Sequence, residues 1–136
     1  MRVRDYHGFQ KASALLGIHL VNPKDKFVVV VEGLFDMAVV YQYGYSVVAT
    51  MHAGLTDAQF AKLKDLGLPL LSMFDNDKAG IEATQRMVEK VGNALPMSVA
   101  PYFPRVTSKG KKVWVKDPGA CTMEEVDKMV SEATIV

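Results

Sequence analysis

The sequence predicts an α/β domain with an open, mainly parallel sheet flanked by helices, and three observations carry that expectation. Residues 27–31, FVVVV, are an apolar, β-branched run without polar interruption, the pattern of a parallel strand covered on both faces. Three more short apolar runs follow, YSVVAT, LPLLSMF and MSVAPYF, each separated from the last by a stretch with helical patterning. The connections are short, so the order reads βαβαβαβ, and parallel strands joined by helices need that spacing.

Each element has a local reason. Residues 1–26 form an N-terminal extension in which QKASALLGI suits a short helix, ended by Pro23 and the polar NPKDK. After the valine run, FDMAVVYQYG turns to helical spacing and closes at Gly44. The next helix, in GLTDAQFAKLKDLG, has Thr56 as N-cap, Gln59 completing a capping box, and Gly67 where a C-cap belongs. KAGIEATQRMVEKVG supplies a third helix, ending near Gly92. Residues 27–104 thus read as the α/β core, and residues 105–136 as a part that completes the same domain. In that part PRVTSKGKK is an exposed loop, VWV a brief edge strand, and TMEEVDKMVSEA a helix with Thr122 as N-cap and Glu125 three residues on. Tyr41, Tyr43 and Tyr45 are read as packing residues around a helix end and a strand start.

A chain of 136 residues suits one domain with a sizeable core. Its formal charge of +1 lacks the basic surplus that marks many nucleic-acid binders, although acids gathered in a site offset a basic face elsewhere. The single cysteine, Cys121, excludes an internal disulfide framework and a cysteine-based zinc site, and points to a cytoplasmic protein. No apolar run is long enough for a membrane helix, so no membrane partner is expected.

The acidic residues carry the chemistry. Ligands in open α/β sheets collect at the C-terminal strand ends. Glu32 follows the first strand, Asp36 lies in the first turn of the next helix, and the third strand runs into FDNDKAG, which brings Asp75 and Asp77 to the same edge. In an extended segment, acids one residue apart share a face. Four carboxylates on one rim repel one another unless a cation is present, and oxygen-only ligands favour Mg2+ or Mn2+ over zinc. Taken singly, Asp36 also reads as a helix cap and the D-N-D as a turn former. The small Ala79 and Gly80 allow a tight helix start beside the rim, with amide donors turned toward a phosphate.

VVVVEGLFD, VVATMHAGLTDAQFAKL and LLSMFDNDKAGIEATQRM together resemble the Toprim domain, a Rossmann-like module shared by primases, topoisomerases and small nucleases. The form E-G-x-x-D with D-x-D-x-A-G-x-x-A, carried by Glu32, Gly33, Asp36, Asp75, Asp77, Ala79, Gly80 and Ala83, is most similar to the bacterial and phage primase branch. Upstream, FQKASALLGI resembles the primase segment that precedes the first Toprim strand, with Lys11 at a basic site position, Leu16 in place of an aromatic and Ile18 in place of leucine. Downstream, KDPG resembles the primase K-D-P-D: Lys116, Asp117 and Pro118 match, and Gly119 replaces the second acid. The family's glycine after the second strand is replaced by His52, with Gly54 nearby; His52 is either a phosphate or base contact or loop filler.

The resemblance implies metal-dependent synthesis of short RNA primers on single-stranded DNA from nucleoside triphosphates. Glu32 would be a metal ligand or the proton-handling group at the attacking hydroxyl, Asp75 and Asp77 metal ligands, Asp36 and Asp117 completing or supporting ligands, and Lys11 a positive charge near triphosphate or template. Gly33, Ala79 and Gly80 would support the loops. Full primases carry a zinc module and a larger catalytic lobe, so the resemblance implies a fragment, a stand-alone protein of a phage or mobile element, or one half of an enzyme completed by another polypeptide, with a replicative helicase as a further partner. Two other readings stay open: a Toprim nuclease whose acids activate water, and a non-catalytic interaction module. Arg105, Lys109, Lys111, Lys112 and Lys116, with Trp114 interleaved, form a strip suited to a nucleic-acid backbone with one stacked base, or else a solvated loop and an edge strand anchored by Trp114.

Overall fold

The computed structural model describes residues 14–136. Its main sheet has five strands in the order β2-β1-β3-β4-β7, formed by β1 (Val28–Val31), β2 (Val47–Ala49), β3 (Leu70–Ser72), β4 (Met97–Val99) and β7 (Thr134–Ile135). The first four are parallel, and β7 joins β4 antiparallel. All four valines of β1 are fully buried, because this interior strand is covered on both faces. β3, rather than β1, is the middle strand of the five.

Two core clusters divide at the sheet. On one side α2 (Asp57–Leu66) and α3 (Lys78–Val91) pack Phe60, Leu63, Ala83 and Met87 against Val28, Val30, Leu70 and Phe74. On the other, α1 (Leu34–Gln42) and α4 (Met123–Ser131) pack Val40, Val126 and Met129 against Val29, Val31, Leu71 and Met73. The alternate residues of β1 and β3 are thus split between the layers, as the two-residue period of a strand demands. Both expected capping boxes are present, at Thr56 with Gln59 and at Thr122 with Glu125, and Gly67 closes α2 in the left-handed region. Tyr43 and Tyr45 pack against the second cluster, whereas Tyr41 is half exposed.

Several local expectations change. The segment 104–112 is not a plain loop: β5 (Pro104–Val106) and β6 (Lys112–Trp114) pair as a separate antiparallel ribbon, so VWV is not an edge of the main sheet. That edge is taken by β7, which follows α4 directly and is too short to leave a periodic signal. Of the segment expected to form a short helix, residues up to 13 lie outside the described ones; Leu16 bridges to Ala49, and a single 3-10 turn covers Ile18–Leu20.

Chain order explains where a site can form. From β1 the chain goes to β2 on one side and then to β3 on the other, so the loops after β1 and β3 diverge and leave a crevice at adjacent strand ends. Glu32 and Asp75 leave the sheet on either side of that crevice. The start of α3 is held against it by Gly80, which is buried. A methyl group on Gly80 would overlap the Asp75 carbonyl oxygen and lie 2.7 Å from its carbonyl carbon. Ala79, by contrast, is exposed, so the tight helix start depends on the glycine and not on the alanine. Gly80→Ala should therefore destabilise the fold by about 1–3 kcal/mol in urea unfolding. An ordinary helical site would give the opposite sign, a gain of up to about 1 kcal/mol.

Candidate metal centre

The crevice is built from hydrogen bonds between its loops. The Asp75 amide donates to Glu32 Oε1 (3.0 Å), and the Met51 amide to the Glu32 carbonyl (2.7 Å), so the residue after β1 is tied to both neighbouring loops. Asp36 is buried at 7 % exposure, and its Oδ1 accepts from the Gly119 amide (2.9 Å). A methyl group on Gly119 would lie 2.7 Å from that oxygen and from the Phe35 ring, so a side chain there would push the segment off the site. Asn76 supplies the other clasp: its amide donates to the Lys116 carbonyl (2.5 Å) and its Nδ2 to the Val115 carbonyl (3.1 Å). The middle residue of D-N-D and Gly119 thereby fasten the segment carrying Asp117 to the rim, a role that sequence reasoning missed in both.

The D-N-D segment is a bend, not the extended stretch expected from its spacing. Asp77 is the N-cap of α3, with Oδ1 accepting from the Gly80 amide (2.7 Å), and its Oδ2 lies 3.9 Å from Lys116 Nζ. Asp117 likewise caps a 3-10 turn, accepting from the Ala120 amide (3.1 Å). Asp75 has no such partner; its Oδ1 is enclosed and accepts no hydrogen bond.

Electrostatics show that these carboxyls sense one another. Burial, followed by the charges of Glu32, Asp36, Asp117 and Asp77, pushes Asp75 from the usual 3.8 up to about 7. Burial also raises Glu32, with Asp77 and Asp36 adding to it and the Asp75 amide pulling back. Asp36 is raised by burial and by Asp117, against the pull of the Gly119 amide. Among the described residues no three of His, Cys, Asp or Glu close into a ready-made cage. An open rim of this kind suits a cation that keeps several waters and takes one or two carboxylates plus substrate phosphates, as Mg2+ does. The unpartnered Asp75 oxygen and the all-oxygen donor set fit such an ion.

The β2–α2 loop differs from expectation by one position. The left-handed residue is Met51 (φ 70°), with Gly54 at φ 132°, so the turn requirement does not fall on His52. His52 Nε2 is enclosed without a partner, and the ring lies near enough to Glu32 to lower its pKa slightly. Gly33 has an extended backbone and caps α1; a side chain there would lie 3.2 Å from Asp36 Oδ2. Lys11 lies outside the described residues.

The basic strip separates into two parts. Arg105 is spent on structure: Nε and Nη2 donate to the Glu125 carboxylate (3.0 and 2.6 Å), and Nη2 also to the Ala120 carbonyl (3.0 Å). That pair holds Glu125 down at about 2. Arg105 is thus engaged with α4 and not presented as a free cation. Lys109, Lys111, Lys112 and Lys116 are exposed, as is Trp114 at 59 %, which excludes the expectation that Trp114 anchors the ribbon in the core.

Residues 29–106 match the Toprim-like family. The chain belongs to that family. It is similar to the DNA primase of Rickettsia bellii, 34 % identical over 93 residues that make up 65 % of this chain and 15 % of the relative. The Helicobacter pylori DNA primase is 35 % identical over 82 residues, 57 % of this chain and again 15 % of the relative. The Toprim chain therefore spans about a seventh of these relatives' length. Among solved structures, the zinc-binding and RNA polymerase domains of Aquifex aeolicus primase superpose with a TM-score of 0.75 at 22 % identity, over 98 % of this chain and 33 % of that one. The primase fragment of the bacteriophage T7 primase-helicase gives 0.59 at 27 % identity, over 92 % and 50 %. The fold is that of the catalytic core of bacterial and phage DNA primases, an α/β Toprim domain with a mostly parallel sheet.

A stability profile follows from the raised carboxyls. A group whose folded pKa exceeds its unfolded value stabilises the fold fully below the unfolded value, and that stability is lost as pH rises through the folded one. Metal-free protein should therefore lose urea resistance between about pH 4 and about pH 7, the window set by Asp75. Asp75→Asn should flatten that loss, and a profile unchanged by the substitution would exclude Asp75 as its source.

Proposed function

We propose that this Toprim domain carries out Mg2+- or Mn2+-dependent nucleotidyl transfer of the primase type, making short RNA primers on single-stranded DNA from nucleoside triphosphates. The observation that carries the proposal is the convergence of Glu32, Asp36, Asp75, Asp77 and Asp117 from three separate segments on one crevice, close enough that the charges of the other four, after burial, raise the Asp75 carboxyl. Likeness to primases supports it, including a primase catalytic domain of the same fold solved with single-stranded DNA.

In this reading Glu32, Asp75 and Asp77 hold the ion, and Asp36 and Asp117 complete or support the set. The bound cation would lower the pKa of the attacking hydroxyl and neutralise charge on the phosphoryl oxygens. Alternatively to holding the ion, Glu32 would be the group that takes the hydroxyl proton, its carboxyl being raised by burial and by Asp77 and Asp36. Lys11 would stand near triphosphate or template, on the strength of the sequence likeness alone. Lys109, Lys111, Lys112 and Lys116 would follow the template backbone, with Trp114 stacking on a base. Gly33 and Gly80 keep the loops close enough for this, and His52 lines the β2–α2 side.

A replicative helicase, or a separate polypeptide carrying the remaining primase parts, is the protein partner this reading names; the T7 relative is a primase-helicase. Among the described residues no helix is long and apolar enough to cross a membrane, and a cytoplasmic site of action accords with replication.

The test incubates the chain, alone and with candidate partner proteins, with Mn2+, a single-stranded template and labelled ribonucleotides. Glu32→Gln should cut primer yield about 10²–10⁴-fold. Shortened input strands would assign hydrolysis instead, and a chain that binds template but loses nothing on Glu32→Gln would be an interaction module.

A further inference from the structure

Beside the carboxylate crevice, on the α3 side, a cleft of about 220 Å³ opens between the C-terminal ends of β3 and β4 and the first turns of α3. Its walls are largely apolar, from Phe74, Val99 and Tyr102, with Thr84 and Gln85 at the helix side. Ser72 lies within it and is 1 % exposed, yet its hydroxyl has no hydrogen-bond partner. On the same face of the strand its neighbours are Leu70 and Phe74, both core residues, and across the ladder it pairs with Val99. A hydroxyl buried among apolar side chains without a partner is unfavourable, so its place in the strand calls for something that bonds to it. Asp75, whose Oδ1 is the other unpartnered buried oxygen of this region, lines the same cleft and links it to the crevice.

We propose that this cleft is a nucleobase subsite, seating the base of the incoming ribonucleotide while its phosphates lie at the carboxylate rim. The size leaves room for a heterocycle, since one water needs only about 10–15 Å³ of such space. Apolar walls suit the faces of a base, and the Ser72 hydroxyl, able both to donate and to accept, suits a base edge. The Tyr102 hydroxyl donates to the Phe74 carbonyl (2.9 Å), which fixes the ring that forms one wall. Thr84 Oγ1 donates to the Gly80 carbonyl (2.9 Å) and keeps a lone pair to offer at the helix side. The choice of nucleotide as occupant rests on the nucleotidyl-transfer reading, whereas the cleft and its orphaned hydroxyl do not.

The experiment titrates the four ribonucleosides, without phosphate, into isotope-labelled protein in EDTA and follows amide resonances. At least one nucleoside should shift Ser72, Thr84 and Gln85 with a dissociation constant on the order of millimolar. Ser72→Ala, which leaves a well-tolerated small residue in the strand, should weaken that binding about fivefold, and Thr84→Val should weaken it less. Inorganic triphosphate should leave these resonances in place. The proposal is overturned if no nucleoside moves them, if Ser72→Ala binds as the wild type does, or if only an oligodeoxynucleotide moves them. Because no metal or turnover is involved, failure of primer synthesis with intact nucleoside binding would count against the nucleotidyl-transfer reading and not against the cleft.

Discussion

Like-charge repulsion at the ends of β1 and β3 is the constraint on which the rest of the site depends. Glu32 and Asp75 follow adjacent parallel strands, and the Asp75 amide bonds to the Glu32 carboxylate, so the two acids share one place in the crevice. The fold tolerates this by giving most of the acids an amide donor: Asp75 to Glu32, Gly119 to Asp36, Gly80 to Asp77 and Ala120 to Asp117. Each such bond sets an N–H dipole against a carboxylate oxygen and offsets part of the repulsion. Asp75 is the exception; its enclosed Oδ1 has no donor, and burial first, then the neighbouring charges, raise its carboxyl to about 7.

Holding the crevice together takes contacts across long stretches of chain. Asn76 binds the backbone of Val115 and Lys116, and Gly119 lies close against Asp36, so residues that follow the β5–β6 ribbon become part of a rim begun at β1. The Arg105–Glu125 pair adds a second fastening between ribbon and α4. It is an exposed pair and contributes little stability by itself. Its consequence is geometric, since it fixes where the ribbon leaves the body and therefore where Lys109, Lys111, Lys112 and Trp114 are displayed.

Much of this was legible in the residue pattern. An unbroken, β-branched valine run reads as an interior strand, and two capping boxes announce their helices without help from tertiary structure. Glu32, Asp36, Asp75 and Asp77 were placed at one edge by topology alone. What escaped was whatever depends on backbone meeting backbone. The clasps made by Asn76 and Gly119 have no periodicity, β7 is a two-residue strand, and the loop after β2 takes positive φ at Met51 as well as at Gly54. The Arg105–Glu125 pair has no sequence signal either, because charge in a loop does not reveal whether a carboxylate is already waiting for it. Ser72 went unnoticed for a related reason: a serine in a strand is ordinary until its burial and lack of a partner are seen.

On the proposed function, the carboxylate rim takes a divalent cation. Titrating the metal-free protein with Mn2+ and reading free ion by electron paramagnetic resonance tests it most directly, with thermal unfolding recorded on the same samples. The free-ion signal should be depleted at millimolar protein and metal, the melting temperature should rise by a few degrees, and both effects should be lost in Asp77→Asn. Undiminished free Mn2+ together with an unmoved melting temperature would contradict it.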